Sequence, residues 1–203
     1  MYTIKFLEYN DLMREVMSEE DSLDNALTNL DNVTKDDKLH LKNIETWAKY
    51  AFENEKEYFA TIYQNDKPIA CIDNYFKSIN IQFLTYNQGK LFIYLSMIYN
   101  KVKRNGEEEY VKYPENKMFL RQINLYQEDD NQKITNEMLF KDDGILNVET
   151  ITETKEPEFN MNYEEKETKV NLSHNWIRTP KTHDDYEYLL DYKNILKPEY
   201  LDL

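Results

Sequence analysis

The sequence is poor in the residues on which most catalytic and metal sites depend. Its 203 residues include one cysteine, three glycines and three histidines. The single Cys71 cannot form an intramolecular disulfide, and its apolar neighbours are typical of a buried thiol. Because Gly89, Gly106 and Gly144 lie far apart, they cannot build the phosphate-binding loops of Walker-type nucleotide hydrolases or the usual Rossmann dehydrogenases. Both classes are therefore excluded.

The histidines and the acidic doublets lack the spacing of a catalytic or metal-binding motif. No histidine belongs to an HExxH, HxH or Cys-His pattern, whereas a zinc site needs three or four converging ligands. Adjacent aspartates in a turn point apart and bond their own backbone, so we interpret the doublets as turn or capping residues. The histidines are His40, His174 and His183, and the doublets are Asp129–Asp130, Asp142–Asp143 and Asp184–Asp185. We predict no catalytic residue, no metal ligand, no cofactor and no enzymatic turnover.

Long apolar runs are also missing. The longest strongly apolar stretch, residues 91–99, is far shorter than the roughly 20 residues that a membrane-spanning helix needs. Residues 1–9 carry neither a basic leader nor a long apolar core, so we expect no signal peptide. A chain without disulfides suits a reducing compartment, and we therefore expect a cytoplasmic protein.

Negative charge is abundant instead. The sequence has 39 acidic and 25 basic residues, which gives a formal net charge of −14. Such acidity argues against binding to nucleic acid or to an anionic membrane, because both require a basic surface. An apolar content of 40%, with 14% aromatic residues, is too high for a disordered acidic chain. We expect a globular protein whose partner is a basic protein.

Residues 1–57 are predicted to be mainly helical after a short opening strand. Thr34 is followed three residues later by Asp37, which is the spacing of a capping pair at a helix start. Apolar residues at helical spacing follow around Trp47. We predict one helix from about Lys35 to Glu55, with Trp47 in the core.

Residues 58–172 are predicted to form a large antiparallel β-meander. The hydrophobic period changes to two, and short turn sequences such as Asn65–Lys67 and Asn105–Gly106 separate the strands. Connections this short join antiparallel strands, because parallel strands need longer crossovers. Residues 91–102, apolar on both faces over much of their length, are predicted to be one central strand.

The C-terminal part, residues 173–203, is predicted to be a short helix and a tail. Thr182 and Asp185 have the spacing of a second capping pair, and Pro198 would end the helix. No internal repeat or flexible linker divides the chain, so we expect a single domain over 1–203. The predicted fold class is α+β, with N-terminal helices packed on an open sheet or half-barrel.

Successive turns of an up-and-down sheet lie at alternate ends, and this geometry concentrates acidic residues at one end. We call it the acidic end. The predicted partner-binding residues there are Glu107, Glu108, Glu109, Glu128, Asp129 and Asp130, with Tyr110 and Tyr126 as aromatic anchors; Glu153, Glu156 and Glu158 lie at the same end. Such charges steer a basic partner toward the site. The alternative is that they are solvated and serve only solubility.

The chain is small and acidic, lacks catalytic motifs, and has acidic turns at 107–109 and 128–130 between aromatic strands. In these features it resembles bacterial immunity proteins that neutralise polymorphic toxins. The resemblance implies a cytoplasmic protein that binds a cognate toxin domain, often a basic nuclease, and blocks its active site. Two alternatives stay open. One is a small-ligand-binding protein or enzyme with a half-barrel pocket near Tyr94, Arg121 and His174. The other is a structural or phage-encoded assembly protein with a large apolar self-contact surface.

Overall fold

A computed structural model describes residues 1–30, 33–75, 77–84, 90–102, 108–154 and 160–191. The chain forms two compact units, residues 1–84 with 180–190 and residues 85–179 with 191–203. We call them the first and the second unit. Within the described ranges, no helix is long and apolar enough to cross a membrane.

The first unit combines three short helices with antiparallel strands. Its elements are β1 (Tyr2–Lys5), β2 (Tyr9–Asn10), β3 (Glu15–Val16), α1 (Glu19–Thr28), α2 (Lys35–His40), α3 (Ile44–Glu53), β4 (Tyr58–Gln64), β5 (Lys67–Tyr75) and β6 (Ser78–Phe83). The strand order is β1-β4-β5-β6, and β2 pairs with β3 in a separate small hairpin. At the tip of the β4–β5 hairpin, Asn65 and Asp66 have φ angles of 51° and 60°, as a type I′ turn requires. The hairpin predicted there is confirmed.

Side-chain caps set where the helices begin. The predicted Thr34–Asp37 pair is confirmed as a capping box, in which Thr34 Oγ1 accepts the Asp37 N–H and the Asp37 carboxylate accepts the Thr34 N–H. The prediction of one helix from Lys35 to Glu55 is wrong. Asn43 Oδ1 accepts the N–H of Thr46 at 3.0 Å, so a new helix begins at Ile44.

Trp47 is the anchor of the first unit's core, as predicted, with only 1% of its surface exposed. The neighbouring Ala48 and Ala51 are fully buried on the same side of α3. Consecutive residues of the central strands are also buried, from Tyr58 to Ile62 in β4 and from Ala70 to Ile72 in β5. The apolar stripe of the helix and these strands, which are covered on both faces, form the core together.

A buried polar network holds the C-terminal segment within the first unit. The Tyr186 hydroxyl contacts the hydroxyl of Tyr58 and accepts a 2.7 Å hydrogen bond from Asn74 Nδ2. The predicted Thr182–Asp185 capping pair is not formed, because the Asp185 carboxylate accepts the Lys181 N–H instead. One turn of 3-10 helix follows at Glu187–Leu190, and residues beyond 191 lie outside the described ranges.

The second unit is built from strands. They are β7 (Lys90–Ser96), β8 (Ile98–Val102), β9 (Glu108–Lys112), β10 (Lys117–Glu128), β11 (Gln132–Phe140), β12 (Ile145–Thr154), β13 (Asn160–Lys169) and β14 (Trp176–Arg178). The antiparallel order is β7-β10-β11-β12-β13, and β14 pairs with the first part of β10. One turn of 3-10 helix, Leu172–Asn175, precedes β14.

The prediction of one central strand over residues 91–102 is wrong. The chain leaves the large sheet after Ser96, and among the described residues β8 pairs with β9 in a separate two-stranded sheet. The predicted meander is therefore interrupted between β7 and β10. The turn predicted at Asn105–Gly106 lies outside the described residues.

The predicted fold class is confirmed. Among the described residues, three α-helices accompany a large antiparallel sheet of ten strands, which is open because β1 and β13 each pair on one side only. The assignment of a single domain stays a prediction.

Four strands of the second unit, β7, β10, β11 and β12, have one apolar face and one mainly polar face. Ile93, Ile123, Met138 and Val148 lie side by side across four neighbouring strands, and each is at most 9% exposed. Because side chains alternate along a strand, the residues before and after them lie on the opposite face. That opposite face carries the polar side chains that form the candidate site.

Candidate functional site

Three glutamates lie side by side on the polar face of the second unit. The strand register pairs Glu137 of β11 with Glu149 of β12, and Glu149 with Glu165 of β13. Directly paired residues have Cβ atoms about 4.5–5.5 Å apart on the same face, so their carboxylates repel one another. We call Glu137, Glu149 and Glu165 the carboxylate row. A sheet that needed only stability would not place three like charges in this way.

Within the described part of the chain, no carboxylate of the row forms an ion pair, although Lys141, which pairs with Glu167, also attracts Glu165 at longer range. Neighbours of the row do form ion pairs, Lys133 with Glu153 at 2.9 Å and Lys141 with Glu167 at 2.7 Å. Partial burial raises the pKa of Glu137, and the charge of Glu149 raises it further. The carboxylate row is thus the part of this face where neighbouring carboxylates lack a direct ion pair among the described residues.

Amide side chains orient the carboxylates without neutralising them. Gln122 Nε2 donates to Glu137 Oε1 at 3.1 Å, and Asn147 Nδ2 donates to Glu165 Oε1 at 3.1 Å and to Glu149 Oε1 at 3.4 Å. Asn147 is only 8% exposed, and its Oδ1 atom is buried with no hydrogen-bond partner among the described residues. The Nδ2 group of Asn147 thus holds two of the row carboxylates in place, while its Oδ1 atom lies beneath the surface and away from them.

Two tyrosines lie on the same face as the carboxylate row, in the neighbouring line of paired residues across the strands. Tyr126 of β10 and Tyr163 of β13 share the polar face, and Tyr163 is 53% exposed. Partial burial raises the pKa of Tyr163, and the carboxylates of Glu149 and Glu165 raise it further, so its hydroxyl stays protonated. Exposed tyrosines beside carboxylates are suited to hold cationic side chains, through the ring face and through hydrogen bonds.

Part of the acidic end is present in the structure. The register places Glu128 opposite Lys133, which in turn lies opposite Glu153, so both glutamates lie at the same end of the sheet. Asp129 Oδ1 accepts the N–H groups of Asn131 and Gln132 at 2.8 Å, which is the ordinary role of aspartate in a turn. Asp130 is exposed in the same turn. Binding of a partner by these residues stays a prediction.

The other acidic turn does not join them through the sheet. Glu108, Glu109 and Tyr110 lie in β9, which within the described ranges pairs with β8 and with no strand of the large sheet. The up-and-down order that was expected to align these residues with Glu128 is therefore wrong. Glu107, Glu156 and Glu158 lie outside the described residues.

The first unit contains a polar cleft of about 370 Å³. Its lining includes Glu8, Asp11 and Asp73, but none of the three residues expected to mark a half-barrel pocket. Those residues are Tyr94 on the polar face, Arg121 at the register shift between β7 and β10, and His174 in the first 3-10 turn.

Asp73 is the most perturbed carboxyl group in this cleft. Burial raises the pKa of Asp73 to about 7, and the charges of Glu8, Asp11 and Glu57 add to the shift. Amides orient two of these neighbours, because Asn25 Nδ2 donates to Glu8 and Gln82 Nε2 donates to Asp11. Throughout the described ranges, no group of three or more His, Cys, Asp or Glu side chains is placed to hold a metal ion.

No family model, no curated protein and no solved structure matches this chain. A functional assignment therefore depends on the chemistry of the carboxylate row and of the cleft.

Proposed function

We propose that the protein is an inhibitor of the immunity type, which binds a basic surface of a cognate toxin domain through the carboxylate row and occludes the toxin's active site. The observation that supports this proposal is the row itself. Glu137, Glu149 and Glu165 are held side by side, and none of them forms an ion pair with a described residue. A basic partner supplies the cations that would pair with them.

The row is suited to a nuclease in particular. Nucleases hold the phosphates of their substrate with lysine and arginine side chains. Neighbouring strands are about 4.8 Å apart, so the three carboxylates span about 10 Å in a line. A line of negative groups on that scale competes with a phosphate backbone for the same cations. Occlusion of the active site then results from the contact itself.

Charge and burial have different roles in this complex. The net charge of −14 attracts a basic partner over a long range and raises the association rate. The half-buried Glu137 and Glu149, with Tyr126 beside them, exclude water after docking and slow dissociation. Binding should therefore weaken with salt, but it should not disappear when only the long-range attraction is screened.

The test uses the protein encoded by the open reading frame adjacent to the gene, expressed separately as the probe. Calorimetry compares the wild type with a row variant in which Glu137, Glu149 and Glu165 are all changed to Gln. A control variant carries Glu20→Gln, Glu45→Gln and Glu53→Gln, three exposed glutamates of the first unit, and has the same net charge. We expect the row variant to bind about 100-fold more weakly, since each lost charge pair contributes about 1 kcal/mol or more.

Two outcomes contradict the proposal. Equal weakening in both variants shows that only net charge matters, and no binding of the neighbouring protein by the wild type removes the toxin-inhibitor assignment. The supporting result is selective weakening in the row variant, together with loss of the probe's nuclease activity when the wild type is added.

A further inference from the structure

The strand β13 has no buried side chain. It pairs with β12 over ten residues, from Asn160 to Lys169, and every one of these residues is exposed. In the described part of the chain, no strand pairs with its outer edge. An edge strand of this length offers a row of free backbone donors and acceptors to another chain. Native proteins usually shorten or cover such edges.

The register shows which residues face the free edge. The N–H of Val170 donates to Gly144 O at 2.9 Å, next to the paired residues Ile145 and Lys169. Bonding alternates along an antiparallel pair, so the even-numbered residues of β13 bond to β12 and the odd-numbered ones point their backbone outward. The outward residues are Met161, Tyr163, Glu165, Glu167 and Lys169.

The same odd-numbered residues carry their side chains on the face of the carboxylate row. Glu165 is the last member of the row and lies at the free edge of the sheet. A strand added beside β13 would therefore form backbone hydrogen bonds at Glu165. The residue opposite Glu165 would have its side chain on the same face, about 5 Å away.

We propose that the outer edge of β13 binds an extended segment of the partner as an added strand, with a lysine or arginine opposite Glu165. This inference rests on the proposed function, because it names how the basic partner reaches the carboxylate row. The lysine or arginine of the added strand then lies next to Glu165, at the end of the carboxylate row, and provides a positive charge there. Tyr163 and the exposed Met161 contact its neighbouring side chains on the same face.

A second copy of this chain fits the edge less well. In a two-fold antiparallel contact between two copies of β13, odd-numbered residues pair with odd-numbered ones and even-numbered residues with even-numbered ones. Two registers of this kind pair nine residues each, one centred on Glu164 and the other on Glu165. Each of these registers places two identical carboxylates opposite one another, which is destabilising. The register centred on Glu165 also pairs Glu164 with Lys166, but on the face opposite the row, and in neither register does a lysine lie opposite Glu165. Charge complementarity at the row therefore favours a basic occupant.

The test uses a synthetic peptide, acetyl-TKVKTKVKT-amide, in which the lysines share one face of a strand. Two methylated peptides keep its charge. One peptide is N-methylated at the two lysines on either side of the central threonine, whose N–H groups would point toward β13. The other is N-methylated at the central threonine and at the valine two positions after it, whose N–H groups would point away. We expect the first modification to weaken binding about tenfold or more, because it removes two backbone hydrogen bonds, and the second to leave it nearly unchanged.

A matched pair of protein variants tests the same contact from the other side. Glu165→Lys reverses a charge on the row, whereas Glu164→Lys reverses the adjacent charge on the opposite face of the same exposed strand. We expect the first variant to lose peptide binding and the second to retain most of it. Circular dichroism verifies that both variants are folded.

Several results would overturn the inference. These are equal binding of the two methylated peptides, equal effects of the two variants, no peptide binding at all, or a dimer of the protein that Glu165→Lys dissociates. The proposed function fails separately. If the neighbouring protein binds through the carboxylate row but the peptides show no dependence on methylation, only strand addition is refuted.

Discussion

Asp73 makes the stability of the protein depend on pH in an unusual direction. It lies on β5 between Phe59 of β4 and Asn80 of β6, on the wall of the polar cleft. Burial, together with nearby carboxylates, raises its pKa to about 7. An aspartate in an unfolded chain has a pKa of about 3.9. Between about pH 4 and pH 7, the folded protein therefore holds a proton that the unfolded chain releases.

The sign of the effect is set by this difference. Where the folded state binds more protons, the free energy of unfolding falls as pH rises, so Asp73 favours folding at acid pH and opposes it above pH 7. The pKa difference of about three units sets an upper limit of about 4 kcal/mol. Because the side chain is partly exposed, we expect about half of that value, roughly 2 kcal/mol.

The test is the variant Asp73→Asn, which keeps the shape of the side chain and removes its charge. Urea unfolding, followed by fluorescence of the two tryptophans, should show a gain of roughly 2 kcal/mol at about pH 8 and almost none at about pH 3.5, below the pKa of aspartate in the unfolded chain. Asp24→Asn, on the exposed side of α1, is the control and should change little at either pH. An equal gain at both pH values, or none at pH 8, would refute the assignment of the raised pKa to Asp73.

Three further predictions concern the network, a cap and the carboxylate row. Tyr186→Phe removes the buried hydroxyl that binds Asn74 and Tyr58, and urea unfolding should show a loss of about 1–3 kcal/mol; an unchanged midpoint would contradict this role. Asn43→Ala removes the cap of α3 and should cost about 1 kcal/mol with a loss of helical circular dichroism, whereas unchanged helicity would show that the cap is dispensable. Glu149→Gln relieves repulsion within the row and should raise the free energy of unfolding by up to about 1 kcal/mol while weakening partner binding; a loss of stability would show that its charge is already compensated.

Local signals in the sequence predicted much of the local structure correctly, although the Thr182–Asp185 capping pair is not formed. The Thr34–Asp37 capping box and the turn at Asn65–Asp66 each depend on residues within three positions of one another. The burial of Trp47 follows from a stripe on a single helix. The hydrophobic period alone was sufficient for the fold class, because it distinguishes strands from helices without knowledge of their partners.

Long-range pairing accounts for the main errors. Residues 91–102 form one continuous apolar run, and nothing within the run marks the point after Ser96 where the chain leaves the large sheet. That change depends on whether β8 pairs with β9 or stays beside β10, which is a property of distant residues. The break between α2 and α3 is different, because Asn43 is a good N-cap that lies within an otherwise helical period.

The carboxylate row was missed for a similar reason. Glu137 and Glu149 lie six residues on either side of Asp143, so a hairpin centred on the turn at Asp142–Gly144 aligns them. This part could have been found from the sequence. The position of Glu165 depends on the register across residues 155–159, and no turn signal there defines it. A functional row that crosses three strands leaves no contiguous motif.

The difference between an acidic turn and the carboxylate row determines which of them can act as a specific site. Carboxylates on an exposed turn such as Asp129–Asn131 can move apart, and water screens their repulsion, so they add attraction without a fixed pattern. In the row, backbone hydrogen bonds between strands fix the spacing of Glu137, Glu149 and Glu165, and the amide of Asn147 orients two of them. Repulsion that cannot relax is released only when cations arrive at matching positions. If the protein binds a basic partner as proposed, discrimination among such partners depends on the row, and the acidic turns increase only the rate of approach.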